Sequence, residues 1–461
     1  MKVSQQHYLQ YAEHVGIELE QASDEGKAVG PEVIEKAQRI MAMPAGDPEK
    51  EKRAALFLDE MERLPSRPDY PYTEPSDWEG IRQARPADAP DRPFPVKEDA
   101  LADKIYGAWL ARCAGCLFGQ PVEGWKRDRI TGFLRDTGNL PVVGYMSSDI
   151  DQALIDQYGI VNDGGPYGNE KVSWINNVRH MVEDDDTNYT ILGLFIVEKH
   201  GAEFTPDDVA TAWLRSLPIH STCTAERIAY RNMVNLLDPP RSATFRNAYR
   251  EWIGAQIRAD SFGYVNPGHP AKAAEMAWRD ASISHVKNGI YGEMWVAAML
   301  AAAAVTDDID EIVEQGLKQI PERCRLAEAI RQVVEWRRGG VSGAEAIDRI
   351  HERYDESNIH HWCHTISNAM IVTSALLYGS GDLSKTFELA ITAGFDTDCN
   401  CATAGSVLGM RSGARSLPAA WIEPLRDKIR SGVNGIGTVS ISRLAERTVQ
   451  CARNNPYLIL N

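Results

Sequence analysis

Two runs of carboxylates in this sequence have the residue types and spacing for cation chemistry. The first is Glu183-Asp184-Asp185-Asp186-Thr187, directly before a stretch with Tyr189, Leu192, Phe195 and Ile196 at helical spacing. Acids suit a helix start, where free N–H groups and the helix dipole are positive, and one or two would meet that need. Four in a row repel one another, so a cation is their natural partner. The second is Gly394-Phe395-Asp396-Thr397-Asp398-Cys399-Asn400, again before a helical stretch. Asp-x-Asp sets two carboxylates side by side, the oxygen donors that hard divalent cations prefer. If the two helix starts converge, four carboxylates could hold two ions ~3.5–4 Å apart. A third candidate, Glu123, lies in Gly119-Gln120-Pro121-Val122-Glu123-Gly124-Trp125, a break that closes a helix and could turn a carboxylate toward a cleft.

Other chemistry is weaker. Cys113-x-x-Cys116 and Cys399-x-Cys401 have zinc-ligand types, but the first pair lies inside a helix pattern and the second at a helix start, whereas zinc knuckles come from turns. His360-His361-Trp362-Cys363-His364 reads as interior or cleft histidines before another helix. There is no Walker motif, no Gly-x-Gly-x-x-Gly in a strand–helix setting and no Gly-x-Ser-x-Gly.

The elements that must carry these residues are mostly helices. Asp99–Phe118, Thr187–His200, Ala271–Ser282, Tyr291–Val305, Ser342–Glu352, Ser367–Leu377, Ser384–Ala393 and Cys401–Met410 read as helical, and period-2 runs are few. The fold class these patterns predict is mainly α. Gly107, Ala111, Gly115 and Gly119 line one helix face, and Ala402, Gly405 and Gly409 line another, so these helices can approach closely. Residues 1–64 read as two or three polar helices. Eight prolines between Pro65 and Pro95 then make an extended strap, with one short helix within Asp77–Arg85. The expected division is an N-terminal helical and proline-rich extension, 1–95, and a bundle, 96–461. The extension shows too little apolar periodicity to promise a core of its own.

Composition bounds the rest. The 461 residues are 43% hydrophobic and 25% charged, which suits a globular chain. The net charge of −16 is unsuited to gripping nucleic acid through its phosphates. No apolar run reaches the ~20 residues of a membrane span, and the start lacks a signal-peptide pattern. Eight cysteines are too sparse for a disulfide scaffold, so reduced thiols in a cytoplasm are the expectation.

Taken together, the motifs resemble the ADP-ribosylglycohydrolase family, over roughly residues 98–450. That family's Gly-Ala-x-x-Gly-x-x-x-Gly-Asp-x-x-Gly-x-Pro-x-Glu is similar to Gly107-Ala108 through Gly119-Gln120-Pro121-Val122-Glu123. Its Thr-Asp-Asp-Thr is similar to Asp184-Asp185-Asp186-Thr187, and its Gly-Gly-Asp-Thr-Asp-Thr to Gly394-Phe395-Asp396-Thr397-Asp398-Cys399. The stretches Ser284-His285, Asn288 to Met294, Asn266-Pro267-Gly268 and Trp278 to Ser282 also look like the family's.

The resemblance implies an all-α fold, a single large orthogonal helical bundle, and a hydrolase that cleaves a ribosyl bond in an ADP-ribosylated substrate or a small riboside, with two divalent cations, Mg²⁺ or Mn²⁺. It implies Asp184, Asp185, Asp186, Asp396, Asp398 and Cys399 at the metals and Glu123 and Asp186 in catalysis. His285, Asn288, Gly289, Tyr291 and Gly292 are implied at the substrate. Three residues depart from the pattern: Asp184 and Cys399 stand in for threonines, and Cys116 for an aspartate. The rival expectations are a glycosidase of a free nucleoside or metabolite, and a non-catalytic metal-binding protein of the same fold.

Overall fold

In a computed structural model of the chain, which describes residue 6 and residues 8–160 and 173–461, the expected helices form. Glu98–Gly119, Asp185–His200, Pro270–Ala281, Gly343–Arg353, Thr365–Gly379 and Leu383–Thr392 each fall within a few residues of the sequence-based bounds. Two helices start earlier than expected, at Lys287 and Thr397. The latter puts Asp398 inside the first turn. The strands found among the described residues are one antiparallel pair, Lys428–Ser431 with Gly437–Ser440. The fold is all-α, and no described helix is long and apolar enough to cross a membrane.

Three helices form the centre. Lys287–Ala303 is buried at every position after Lys287: its last ten residues are all apolar, and Asn288 and Glu293 meet buried charged groups. Glu98–Gly119 and Thr397–Ser412 pack backbone against backbone. A side chain at Gly115 would collide with the backbone of Cys401 and Ala402, and one at Gly119 with the backbone of Thr397 and Asp398. The small-residue stripes thus bring the end of one helix onto the acidic start of the other.

The extension forms Tyr11–Asp24, Pro31–Met41 and Pro48–Arg63. Here the sequence reading needs correcting. Val33, Ala37 and Ile40 meet Ala54, Phe57 and Met61, and with Val15 and Ala22 they make a small apolar cluster of their own. The spacing was helical, but short and diluted by charge.

The seat of the extension on the bundle is ionic and buried. Arg250 Nη1 donates to Glu18 Oε2 at 2.6 Å and its Nε to Glu25 Oε1 at 2.7 Å. Gln21 Nε2 donates to Glu251 Oε2 at 2.6 Å, and Arg325 joins Glu74 of the strap to Glu251. Among the described residues, the side-chain hydrogen bonds of Glu18, Gln21 and Glu25 run to the bundle or to each other. Residues 1–95 expressed alone should lack a cooperative thermal transition, because eight apolar side chains cannot offset the ordering entropy and these polar groups lose their seat. A sigmoidal melt of that fragment by circular dichroism would contradict this.

The histidine cluster belongs to the same seam. Trp252 Nε1–H donates to His360 Nδ1 at 3.0 Å, so His360 keeps its proton on Nε2, which faces Asp24 Oδ2 at 3.1 Å. The Ile366 N–H donates to His364 Nδ1 at 3.1 Å, capping Thr365–Gly379. Both rings spend Nδ1 on an N–H donor; His360 Nε2 faces Asp24, and the buried His364 Nε2 has no hydrogen-bond partner.

Candidate active site

The site lies where Glu98–Gly119 crosses Thr397–Ser412, beside the start of Asp185–His200. Asp184 is the N-cap of its helix: its Oδ1 accepts from the Asp186 N–H at 2.9 Å and its Oδ2 from Gln120 Nε2 at 2.7 Å. Asp396 also stands at an N-cap position, but its side chain makes no capping bond. Its loop is unusual, with Gly394 at φ +72° and Phe395 at φ +56°. Phe395 is buried against His351, and the Asp396 N–H is held by Asn368 Oδ1 at 3.3 Å, so packing fixes a backbone that a non-glycine residue avoids. That loop aims Asp396 inward instead of back at its own helix.

The acids converge. Oxygens of Asp184, Asp186 and Asp398 and the sulfur of Cys116 all lie within 4.8 Å of one another. Asp396, Asp398 and Cys399 form a second such group, which shares Asp398. Asp186 and Asp398 are buried, and Oδ1 of both Asp396 and Asp398 has no hydrogen-bond partner. Burial raises the carboxyl pKa of Asp184, Asp185, Asp186 and Asp398, and mutual repulsion adds to it for Asp185 and Asp398. Asp396 is pushed up to about 6, chiefly by burial. Asp185 and Glu123 stand half-buried at the rim, and Glu123 presses electrostatically on both Asp185 and Asp398.

Two buried arginines escaped the sequence reading. Arg112 is fully buried and reaches Asp186 Oδ1 at 3.0 Å and Asp260 Oδ2 at 2.9 Å. The other oxygen of Asp186 accepts from the Cys399 thiol at 3.1 Å. Asp186 is thus the anchored member of the group. Behind it, Arg258 meets Asp280 at 2.6 Å, Glu226 at 3.1 Å and Glu293 at 3.6 Å. The available signal was an arginine inside an otherwise small and apolar helix, Ala111-Arg112-Cys113-Ala114-Gly115. Cys116, which the motif places outside the metal set, lies within 4.8 Å of oxygens of Asp184, Asp186 and Asp398.

The five residues expected at the substrate sit elsewhere. Asn288 donates to Glu251 and to Glu74 of the strap, at 2.9 and 2.8 Å. Tyr291 Oη donates to the Pro75 carbonyl. Gly289 gives room to the Arg250 carbonyl and His285, and Gly292 to Thr365 and Gln256. His285 Nδ1 pairs with Ser284 Oγ at 2.8 Å. All five are buried; Asn288 and Tyr291 hold the strap, and none of the five belongs to the acidic groups.

The sequence model of the ADP-ribosylglycohydrolase family matches residues 97–455. The chain belongs to this family. As a member it is placed among glycoside hydrolases, and its acidic groups could bind metal. No curated protein matches it. Among solved structures it is similar to an "ADP-ribosylglycohydrolase-related protein complex", at 18% identity and a TM-score of 0.49, over 77% of this chain and 99% of the other.

The raised carboxyl groups set a pH dependence for this family member. A carboxyl whose folded pKa lies above its unfolded value binds its proton more tightly when folded. For Asp396 that contribution is whole below about pH 4 and is lost as pH rises through about 6. Metal-free protein should therefore lose on the order of 3 kcal/mol between these values, two pKa units at ~1.4 kcal/mol each. Saturating Mn²⁺ should remove the decline, because the cation replaces the protons. Denaturant midpoints from pH 4 to 7.5, with Mn²⁺ and with chelator, check this; parallel curves would refute it.

Proposed function

We propose that the chain is a metal-dependent hydrolase of a ribosyl glycosidic bond, with two divalent cations, Mg²⁺ or Mn²⁺, at the acidic groups. The observation that carries this is the pair of unpartnered, buried carboxylate oxygens, on Asp396 and Asp398, facing Asp184 and Asp186 across the helix crossing. Buried charge of one sign is costly unless an opposite charge meets it. Asp184, Asp186, Asp396 and Asp398 would hold the ions, with Asp185 at the rim. When bound, the ions would supply a grip on the vicinal hydroxyls of a ribose and stabilise negative charge on those oxygens.

The protein's own groups do the remainder. Asp186, pinned by Arg112 and Cys399, keeps the group in one arrangement. Glu123, half-buried and acting electrostatically on Asp398 and Asp185, would take a proton from an attacking water. The carboxylates around it stabilise the oxocarbenium character that builds at C1 as the leaving group departs. Purified protein incubated with Mn²⁺ and a panel of ADP-ribosylated proteins, ADP-ribose conjugates and free nucleosides should release ribosyl product from at least one class. Release from free ribosides alone would assign the metabolite reading. Metal binding without release from any would leave the non-catalytic one.

A further inference from the structure

We propose that Cys116 and Cys399 each give a sulfur ligand to this metal centre, tuning it toward borderline divalent ions such as Zn²⁺, Co²⁺ and Fe²⁺. The proposal rests on the reading of the acidic groups as a metal site. Each of the two groups contains one sulfur: Cys116 with Asp184, Asp186 and Asp398, and Cys399 with Asp396 and Asp398. Both cysteines are buried, at 0% and 6% exposure. Buried cysteines ordinarily behave as small hydrophobes. These two lie against carboxylates instead: Cys399 Sγ is 3.1 Å from Asp186 Oδ2, and Cys116 Sγ lies within 4.8 Å of oxygens of Asp184, Asp186 and Asp398.

The neighbouring cysteines supply an internal contrast. Cys113 and Cys401 occur in the same two sequence pairs and are equally buried. Neither belongs to a ligand group, and Cys401 Sγ turns to the Phe387 carbonyl at 3.9 Å. For Cys399 and Cys401 helix geometry explains the split, since residues two apart point about 200° from each other. The contact of Gly119 with the Asp398 backbone then sets Cys116, one turn earlier, beside the same carboxylate. Independently, one oxygen each of the buried Asp396 and Asp398 has no hydrogen-bond partner, and Arg112 reaches only Asp186 of the clustered carboxylates.

Ligand chemistry decides which ion suits this set. Mg²⁺ demands near-octahedral oxygen coordination, whereas thiolate favours softer ions. Metal–sulfur bonds of ~2.3 Å and metal–oxygen bonds of ~2.1 Å put tetrahedral donors about 3.4–3.8 Å apart, a modest contraction of the observed group. Each thiol that binds gives its proton to solvent and contributes one negative charge to the ion.

The test uses full-length, metal-free protein titrated with Co²⁺, followed by absorption. Wild type should develop a sulfur-to-cobalt charge-transfer band in the near ultraviolet. Cys116→Ser and Cys399→Ser should each weaken it and lower Zn²⁺ affinity at least tenfold without lowering Mg²⁺ affinity. Cys113→Ser and Cys401→Ser should leave the band intact. Co²⁺ that binds with no charge-transfer band overturns the sulfur ligation and leaves the oxygen site standing. Failure to bind Co²⁺, Zn²⁺, Mn²⁺ and Mg²⁺ alike overturns both. The wild-type spectrum decides the question even if a variant fails to fold.

Discussion

Arg112→Met should cost the fold roughly 3–5 kcal/mol, the range for removing one partner from a buried ion pair. The guanidinium is fully buried and holds two carboxylates at once, Asp186 at 3.0 Å and Asp260 at 2.9 Å. It also donates to the Thr190 hydroxyl at 2.8 Å and to the Ile257 carbonyl at 2.6 Å. Methionine fills much of the volume and supplies none of these bonds. Both carboxylates would then have to take up protons or draw in water. Adding Asp260→Asn should recover part of the loss, because one of the two orphaned charges goes. The measurement is equilibrium unfolding by guanidinium in chelator, for the single and double variants. A single-variant cost below about 1 kcal/mol would mean that the pair is not load-sharing in the way its burial implies.

Arg112 also shows where the sequence was hard to read. The helical class, the two small-residue faces and the acidic helix starts were legible because each is a local pattern: a period, a run, a cap. Distances through space are not local. Nothing in the sequence pairs Arg112 with Asp186, which lie on different helices, or ties Glu74 to Arg325 and Asn288. Asn288 and Tyr291 looked like substrate residues because their stretch resembles the family's. Here their polar atoms hold the proline-rich strap, which the matched family region, 97–455, does not include. The cysteines fail for a related reason. A spacing pattern treats Cys399 and Cys401 as a pair, while a helix sends side chains two residues apart to nearly opposite sides, and only Cys399 joins a ligand group. Asp184 and Asp396 both occupy N-cap positions, yet the former caps and the latter does not. Only the left-handed turn at Gly394 and Phe395 separates them, and a sequence shows that turn weakly.

Asp398→Asn and Glu123→Gln should separate holding the metal from using it. Asp398 belongs to both ligand groups, is 3% exposed and keeps one oxygen unpartnered. Its amide counterpart loses the charge that both groups share. Metal affinity should fall beyond the ~10–100-fold that even an outer partner of a ligand costs, and turnover should fall to background. The same change should stabilise the metal-free fold, since Asp398 repels Glu123, Asp396, Asp184 and Asp186. A variant more stable than wild type in chelator, and no longer stabilised by Mn²⁺, is a signature that simple misfolding cannot produce. For wild type, a hundredfold excess of ion over Kd adds about 2.7 kcal/mol by mass action. Glu123 stands at the rim and in neither ligand group. Glutamine there keeps the shape and loses the base, so kcat should drop by ~10²–10⁴ while metal binding survives. Calorimetric metal titration beside kinetics on the two variants makes the comparison. If Glu123→Gln turns over normally while binding metal as wild type does, the proton is handled elsewhere. Asp185, the other carboxylate at the rim, is then the residue to replace.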